Sequence, residues 1–308
     1  MDEENIIHLA LAFDQNFIIP FYVTITSILE NNKKNTIFFH VIATGISEEE
    51  QQKIEYYVAE SNANIKFYKI DLALAESFPI SSPHFTAATY YRLFFPALVP
   101  ANVQRLLYLD VDIVVNKDLL KFYELEIGNF VLAAALDPGM KVRPELNIVQ
   151  HDSYFNAGVL LINIEKWRRL NITDKAIQYI IDYPERILHD DQDALNAVLI
   201  NNWFRIDKKL NLQRLSVPNV SREHLKSFIE GVVIIHYTSY DKPWNRFCTH
   251  PLKYLYDFYL SKSPKSILKQ YSGLKLAKHL VISYFANSVV SFYTSNPAIL
   301  NAWRRLRS

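Results

Sequence analysis

The chain has 308 residues, half of them hydrophobic and 21% charged, which supports a sizeable core and excludes a disordered polypeptide. Its formal net charge of +1 hides an asymmetry: residues 261–308 carry eight Lys and Arg and no acid, which leaves 25 basic against 32 acidic residues in the first 260. An acidic body argues against a nucleic-acid partner, and a basic, aromatic tail points to an anionic surface that touches the tail only.

In chain order, residues 6–13 form an apolar run closing on Asp14-Gln15-Asn16, the pattern of a buried strand followed by a polar loop. Residues 17–29 have helical spacing, and 36–43 read as a second strand. Ser47-Glu48-Glu49-Glu50 is a capping box that opens a helix to residue 61, and 65–70 form a third strand. Alternating strands and helices of this length predict an α/β fold, a mainly parallel central sheet flanked by helices. Further on, 86–96 read as a short helix and 104–109 as a strand ending at Asp110-Val111-Asp112. Residues 129–136 are a strand ending at Asp137-Pro138-Gly139. Residues 153–164 are apolar but interrupted by Asn156-Ala157-Gly158, 190–199 look helical, and 231–235 are a strand ending at His236. Ser261-Lys262-Ser263-Pro264 marks a boundary between a domain of residues 1–260 and a helical tail of residues 261–308.

Asp14, Asp110, Asp137 and His236 each follow an apolar strand. Ligands of open parallel sheets bind outside the carboxyl ends of the strands, so these four predict one site. Asp-x-Asp alone is a weak signal, expected about once by chance in a chain of this size, and Asp191-Gln192-Asp193 matches it too. Asp110 and Asp112 differ in lying between apolar runs, where two carboxylates are costly to bury without a cation. Hard divalent ions want such oxygens, and an imidazole from His236 suits Mn²⁺ better than Ca²⁺. A solvated strand-end turn and a structural histidine are the alternatives. Lys242, as a point charge, suits phosphate oxygens. The six glycines form no phosphate-binding loop, no Gly-x-Gly-x-x-Gly turn and no Gly-x-Ser-x-Gly elbow, which removes support from nucleoside triphosphatase, dinucleotide-dependent dehydrogenase and serine hydrolase chemistry.

Six blocks in order resemble glycosyltransferase family 8, the retaining enzymes that include lipopolysaccharide galactosyl- and glucosyltransferases and glycogenin. They are Leu11-Ala12-Phe13-Asp14-Gln15-Asn16, Thr89-Tyr90-Tyr91-Arg92-Leu93, Leu107-Tyr108-Leu109-Asp110-Val111-Asp112, Tyr154-Phe155-Asn156-Ala157-Gly158-Val159-Leu160-Leu161-Ile162-Asn163, Asp191-Gln192-Asp193-Ala194-Leu195-Asn196, and His236-Tyr237 with Lys242-Pro243-Trp244. The resemblance implies a single Rossmann-like nucleotide-sugar-binding domain and transfer of galactose or glucose from a UDP-sugar to an oligosaccharide or glycolipid acceptor. It implies that Asp110, Asp112 and His236 hold Mn²⁺ or Mg²⁺, and that Asp14 and Asn16 meet uracil and ribose. Arg92 and Asp137 would lie by the donor sugar, Asn156, Asp191 and Gln192 at the reaction centre, and Lys242 on the diphosphate. Asp193 reads as a solvated helix residue, and Tyr90-Tyr91 as packing. A nucleotidyltransferase, or a non-catalytic nucleotide-sugar-binding protein, are the rival readings.

The single cysteine, Cys248, excludes an internal disulfide and fits a reducing compartment. Met1-Asp2-Glu3-Glu4 lacks the basic start of a signal peptide, and the longest apolar stretch, 280–293, is broken by Ser283, Asn287, Ser288 and Ser291. These features predict a cytoplasmic protein, with the tail either lying on the inner face of the membrane or packing as a helical cap.

Overall fold

The computed structural model describes residues 6–73, 77–79, 87–218, 220–238, 240–245 and 248–266, with 278, 281, 285, 288, 292 and 299 singly. Ten strands fall among them: β1 Ile6–Asp14, β2 Thr36–Thr44, β3 Ala63–Tyr68, β4 Arg105–Leu109, β5 Ile113–Val115, β6 Leu132–Leu136, β7 Phe155–Asn163, β8 Trp203–Arg205, β9 Leu212–Gln213 and β10 Ile234–His236. A seven-stranded sheet runs β3-β2-β1-β4-β7-β6-β8. Only β7 is antiparallel to its neighbours, so β1, β4 and β6 all point their carboxyl ends to one edge.

The near-continuous apolar runs of β1, β4 and β7 follow from burial on both faces. Alternate residues feed two cores. Leu9, Leu11, Phe13, Leu107 and Leu161 pack with Phe21, Ile25, Ile54 and Val58 on one face. Ala10, Tyr108, Leu160 and Ile162 pack with Trp167, Ala176, Ala194 and Leu195 on the other. The expected helix at 86–96 is a 3₁₀ turn, Ala87–Leu93, followed by a four-residue helix, Phe95–Leu98. Pro96 accounts for the break, because it has no N–H to continue a helical ladder from upstream. Strands expected at 65–70 and 129–136 are β3 and β6, displaced by a few residues.

One expectation needs correction. His236 does not sit on the main sheet's edge. It ends β10, the middle strand of a second sheet ordered β5-β10-β9. Helix α1, Ile18–Asn31, fastens this sheet to the first. Thr24 Oγ1 lies 2.8 Å from both Val111 O and Ile113 O, Ser27 Oγ accepts from Val115 N–H, and Asn31 Nδ2 donates to Val115 O. Buried hydroxyls and amides on α1 thus satisfy the backbone of the segment that carries Asp110 and Asp112.

Helix α2, Glu48–Ala59, starts at the expected cap, with Ser47 Oγ accepting from Glu50 N–H. The Glu50 carboxylate does not complete the capping box. It accepts from Tyr22 OH at 3.0 Å and pairs with Lys265 at 2.8 Å. The helix Lys253–Lys262 runs across residue 260 and is tied to α1 through Asn31–Tyr259 and Glu30–Lys262 contacts, both 2.7 Å. Most of the 261–308 tail lies outside the described residues. Among the described residues, no helix is long and apolar enough to cross a membrane.

Candidate active site

The edge where β1, β4 and β6 end receives three groups with metal-ligating atoms. Asp110 follows β4, Asp112 stands two residues on, and His236 arrives from β10, with one donor atom from each within 4.8 Å of the others. His236 Nε2 lies 3.1 Å from Asp112 Oδ1 and 3.7 Å from Asp110 Oδ2. Adjacent ligands on an octahedral ion with bonds of about 2.1 Å stand about 3.0 Å apart, so this donor set fits a small divalent cation.

The approach of the two sheets depends on Gly158. A Cβ there would fall 2.5 Å from Asp110 Oδ2 and nearer still to His236 Cε1. The strand registers show why it sits there. Between Ala134↔Leu160 and Leu136↔Phe155, one residue of β6 faces four of β7, so Asn156, Ala157 and Gly158 leave the ladder. Gly158 O still accepts from Asp110 N–H at 2.8 Å. The bulge and the site are therefore one feature.

Behind the three ligands runs a row of amides. His236 Nδ1 is 3.0 Å from Asn211 Oδ1, which can only accept, so Nδ1 carries the proton and Nε2 offers its lone pair toward the carboxylates. Asn211 Nδ2 donates to Asn156 Oδ1 at 2.9 Å, Asn156 Nδ2 to Gln192 Oε1 at 3.2 Å, and Gln192 Nε2 to Asp137 Oδ2 at 3.1 Å. Asn211 is fully buried, and it was not legible from the sequence, since nothing in Leu210-Asn211-Leu212 distinguishes it from a loop residue. Partners of this kind orient metal-binding imidazoles.

A second buried network carries charge. Arg92 NH2 pairs with Asp110 Oδ1 at 3.0 Å and Arg92 Nε with Asp191 Oδ2 at 2.7 Å, while NH1 donates to Ala157 O. Its guanidinium lies over the Tyr108 ring, and Tyr108 OH donates to Asp110 Oδ1. Thr89 Oγ1 donates to Asp191 Oδ1 at 2.7 Å. Burial pushes the Asp191 carboxyl up, to about 7, against the opposing pull of Arg92 and Thr89. Asp112 goes the other way: burial would raise it, but Lys242, 2.6 Å away, holds it well below the carboxylate range. Asp191 is the second residue of the helix Asp190–Val198, whose first residue, Asp190, has a positive φ of 46°.

The cleft over these residues has a volume of about 120 Å³ and is walled by Ala12, Phe13, Phe17, Thr89, Arg92 and Lys242 with the two aspartates. Asp14 and Asn16 flank this wall in sequence, Asp14 Oδ1 accepting from Asn16 N–H at 2.8 Å. Phe17 meets Trp244 edge-on at 5.7 Å, and the Lys242 loop is held by Asp241 Oδ2, which accepts from Thr249 N–H and Oγ1. Cys248, in the same loop, is fully buried, and burial raises its thiol to about 12, so it is no nucleophile here.

Of the expectations about packing residues, one holds and one is overturned. Tyr90 and Tyr91 are core residues, as expected. Asp193 is not solvated: it is fully buried, pairs with Arg143 at 2.6 Å, and accepts from Tyr154 OH and from the N–H groups of Leu188 and His189. A buried arginine distant in sequence reverses the usual preference of a helical aspartate for water.

The sequence profile described as Glycosyl transferase family 8 matches residues 8–248. The chain is 32% identical over 301 residues to a lipopolysaccharide 1,3-galactosyltransferase of Salmonella typhimurium, covering 93% of this chain and 89% of that protein. It is 31% identical to general stress protein A of Bacillus subtilis, over 85% of this chain and 95% of that one. Its fold matches a crystal structure of the galactosyltransferase LgtC in complex with donor and acceptor sugar analogs, with a TM-score of 0.74 and 23% identity over 88% of this chain and 99% of that one.

Proposed function

We propose that this chain, which belongs to glycosyl transferase family 8 and is a glycosyltransferase, moves galactose or glucose from a UDP-sugar, with retention, to an oligosaccharide or glycolipid of the cell surface such as a lipopolysaccharide. The observation that carries the reading is the convergence of Asp110, Asp112 and His236 from two sheets, with both aspartates lining one cleft. In this reading those three hold Mn²⁺ or Mg²⁺, which when bound supplies Lewis acidity to a leaving diphosphate. Lys242 adds a fixed positive charge to the same oxygens. Asp14 and Asn16 meet the nucleoside, Arg92 and Asp137 the donor sugar, and Asn156, Asp191 and Gln192 surround the anomeric carbon.

The geometry favours attack of the acceptor hydroxyl on the face the leaving group departs from. Asp191 Oδ1 accepts from Thr89 Oγ1 and Oδ2 lies within ion-pair distance of Arg92 Nε, 2.7 Å in each case, and burial raises its carboxyl to about 7. Such a group is a poor nucleophile. Gln192, an amide spanning Asn156 and Asp137, positions rather than attacks. The acceptor proton then leaves with the departing phosphate. A glycosyl adduct on Asp191 found by mass spectrometry would overturn this route.

We also propose a division into a catalytic domain, residues 1–260, and a tail, residues 261–308, that rests on the inner face of the cytoplasmic membrane. Among the described tail residues, Val281, Phe285, Phe292 and Ile299 are each helical and exposed, apolar side chains of the kind an interfacial anchor presents. The functional test is UDP release from UDP-galactose and UDP-glucose with Mn²⁺. Release that survives both chelation and Asp112→Ala would refute the metal site.

A further inference from the structure

Past the end of β6 lies a second cleft of about 390 Å³, with Asp137 in its wall. This is within the size range of small-molecule sites. Four separate segments bring basic groups to it. Lys141 comes from the turn after β6, His151 from the loop before β7, Arg205 from the end of β8, and Lys208 from the following 3₁₀ turn, Lys208–Leu210. All four are exposed. Among the described residues, no carboxylate lies within ion-pair distance of Lys141, Arg205 or Lys208. Nearby Arg143, by contrast, is saturated by Asp193 and Glu145.

Two acids, Asp137 and Asp152, share the lining, so three fixed cations face two carboxylates, with His151 adding charge when protonated. The Asp137 carboxylate is already committed, Oδ1 to Gly139 N–H at 2.9 Å and Oδ2 to Gln192 Nε2 at 3.1 Å. Unpaired like charges converging on a concave surface repel one another until an anion enters, and each is then a charge-assisted donor. Arg205 offers the planar fork that suits a carboxylate or a phosphate.

We propose that this cleft is the acceptor subsite, and that it selects a saccharide bearing an anionic substituent, a phosphomonoester or a carboxylate, held by Lys141, Arg205 and Lys208. The hydroxyl to be glycosylated then faces Asp137 and Gln192, which join this cleft to the reaction centre. The inference rests on the transfer reading above and adds the class of acceptor to it. Basic side chains grouped around a cavity match a compact substituent on a sugar rather than a flat layer of headgroups.

The test is direct binding of glucose, glucose 6-phosphate and glucuronate to the full chain, measured by saturation-transfer NMR and calorimetry at two salt concentrations. UDP release from the donor is assayed in parallel on the unaltered protein. One charged sugar is expected to bind about tenfold or more tighter than glucose. The preferred anion identifies the substituent, and the preference should shrink with salt and vanish in Arg205→Glu/Lys208→Glu. Equal binding of all three sugars, or a preference that survives the double charge reversal, overturns the proposal. An anion preference in a chain that releases no UDP would instead overturn the transfer reading and the acceptor role with it, leaving an anion site alone.

Discussion

Gly158→Ala tests the junction of the two sheets with one carbon atom. The added Cβ would stand 2.5 Å from Asp110 Oδ2 and 3.0 Å from His236 Nε2. Ordinary van der Waals contact needs about 3.4 Å or more, and the nearest atom, His236 Cε1, would stand at 2.2 Å, so one or both groups must retreat by roughly one ångström. No left-handed backbone is involved at this glycine, so the cost is steric. Asp110 cannot yield freely, because Tyr108 OH and Arg92 hold its other oxygen at 2.8 and 3.0 Å. His236 is held from behind by Asn211. Overpacking of this kind costs about 1–3 kcal/mol of stability. Disturbing the seating of one metal ligand costs about 10–100-fold in metal affinity. The assay is a Mn²⁺ titration followed by electron paramagnetic resonance, with UDP release at saturating donor and a thermal melt alongside. A variant with the parent's Mn²⁺ affinity and melting temperature would refute the claim that these three groups meet at this glycine.

Other outcomes follow from the same structure. Asn211→Leu removes the acceptor for His236 Nδ1–H while keeping bulk, and should weaken Mn²⁺ binding by about 10–100-fold with the fold retained; an unchanged metal affinity would remove Asn211 from the site. His40, buried between His8 Nδ1 at 3.0 Å and Tyr68 OH at 2.8 Å, is held down to about 3 by burial, against an ordinary 6.5. The folded state therefore resists a proton that the unfolded chain accepts, so stability is full above pH 6.5 and falls as pH drops toward 3. His40→Gln should flatten that acid limb in urea melts taken from pH 7 to pH 4; an identical slope would contradict it. Truncation after Ser266 keeps the Lys262–Glu30 and Lys265–Glu50 pairs and should abolish co-sedimentation with anionic liposomes while sparing UDP release. Equal co-sedimentation would dismiss the membrane role of the tail.

The fold was legible where the chain repeats one device. Runs such as Ile6–Asp14 and Phe155–Asn163 can be apolar throughout only if both faces are covered, which announces a central sheet. Carboxylates at the ends of such runs announce the site edge. The second sheet was not legible. Its strands β5, β9 and β10 have three, two and three residues, too few to show a period, and pairing between segments over a hundred residues apart leaves no local trace. For that reason the sequence brings His236 to Asp110 and Asp112 on the main sheet, whereas it meets them from the second one. Asn211 and the burial of Asp193 were hidden for a related reason. An amide or an acid becomes informative only through the partner that meets it, here His236 and Arg143, and both partners are remote in sequence.

The row of amides from Asn211 through Asn156 to Gln192 has a further consequence. Each link is a primary amide giving an N–H to the next oxygen, with a fixed polarity running from His236 to Asp137. Amides donate and accept, but they have no proton to surrender at ordinary pH. The row therefore behaves as an insulator: it transmits orientation from the imidazole to the far carboxylate and conducts no charge. A proton at this end of the cleft finds no relay among these three side chains.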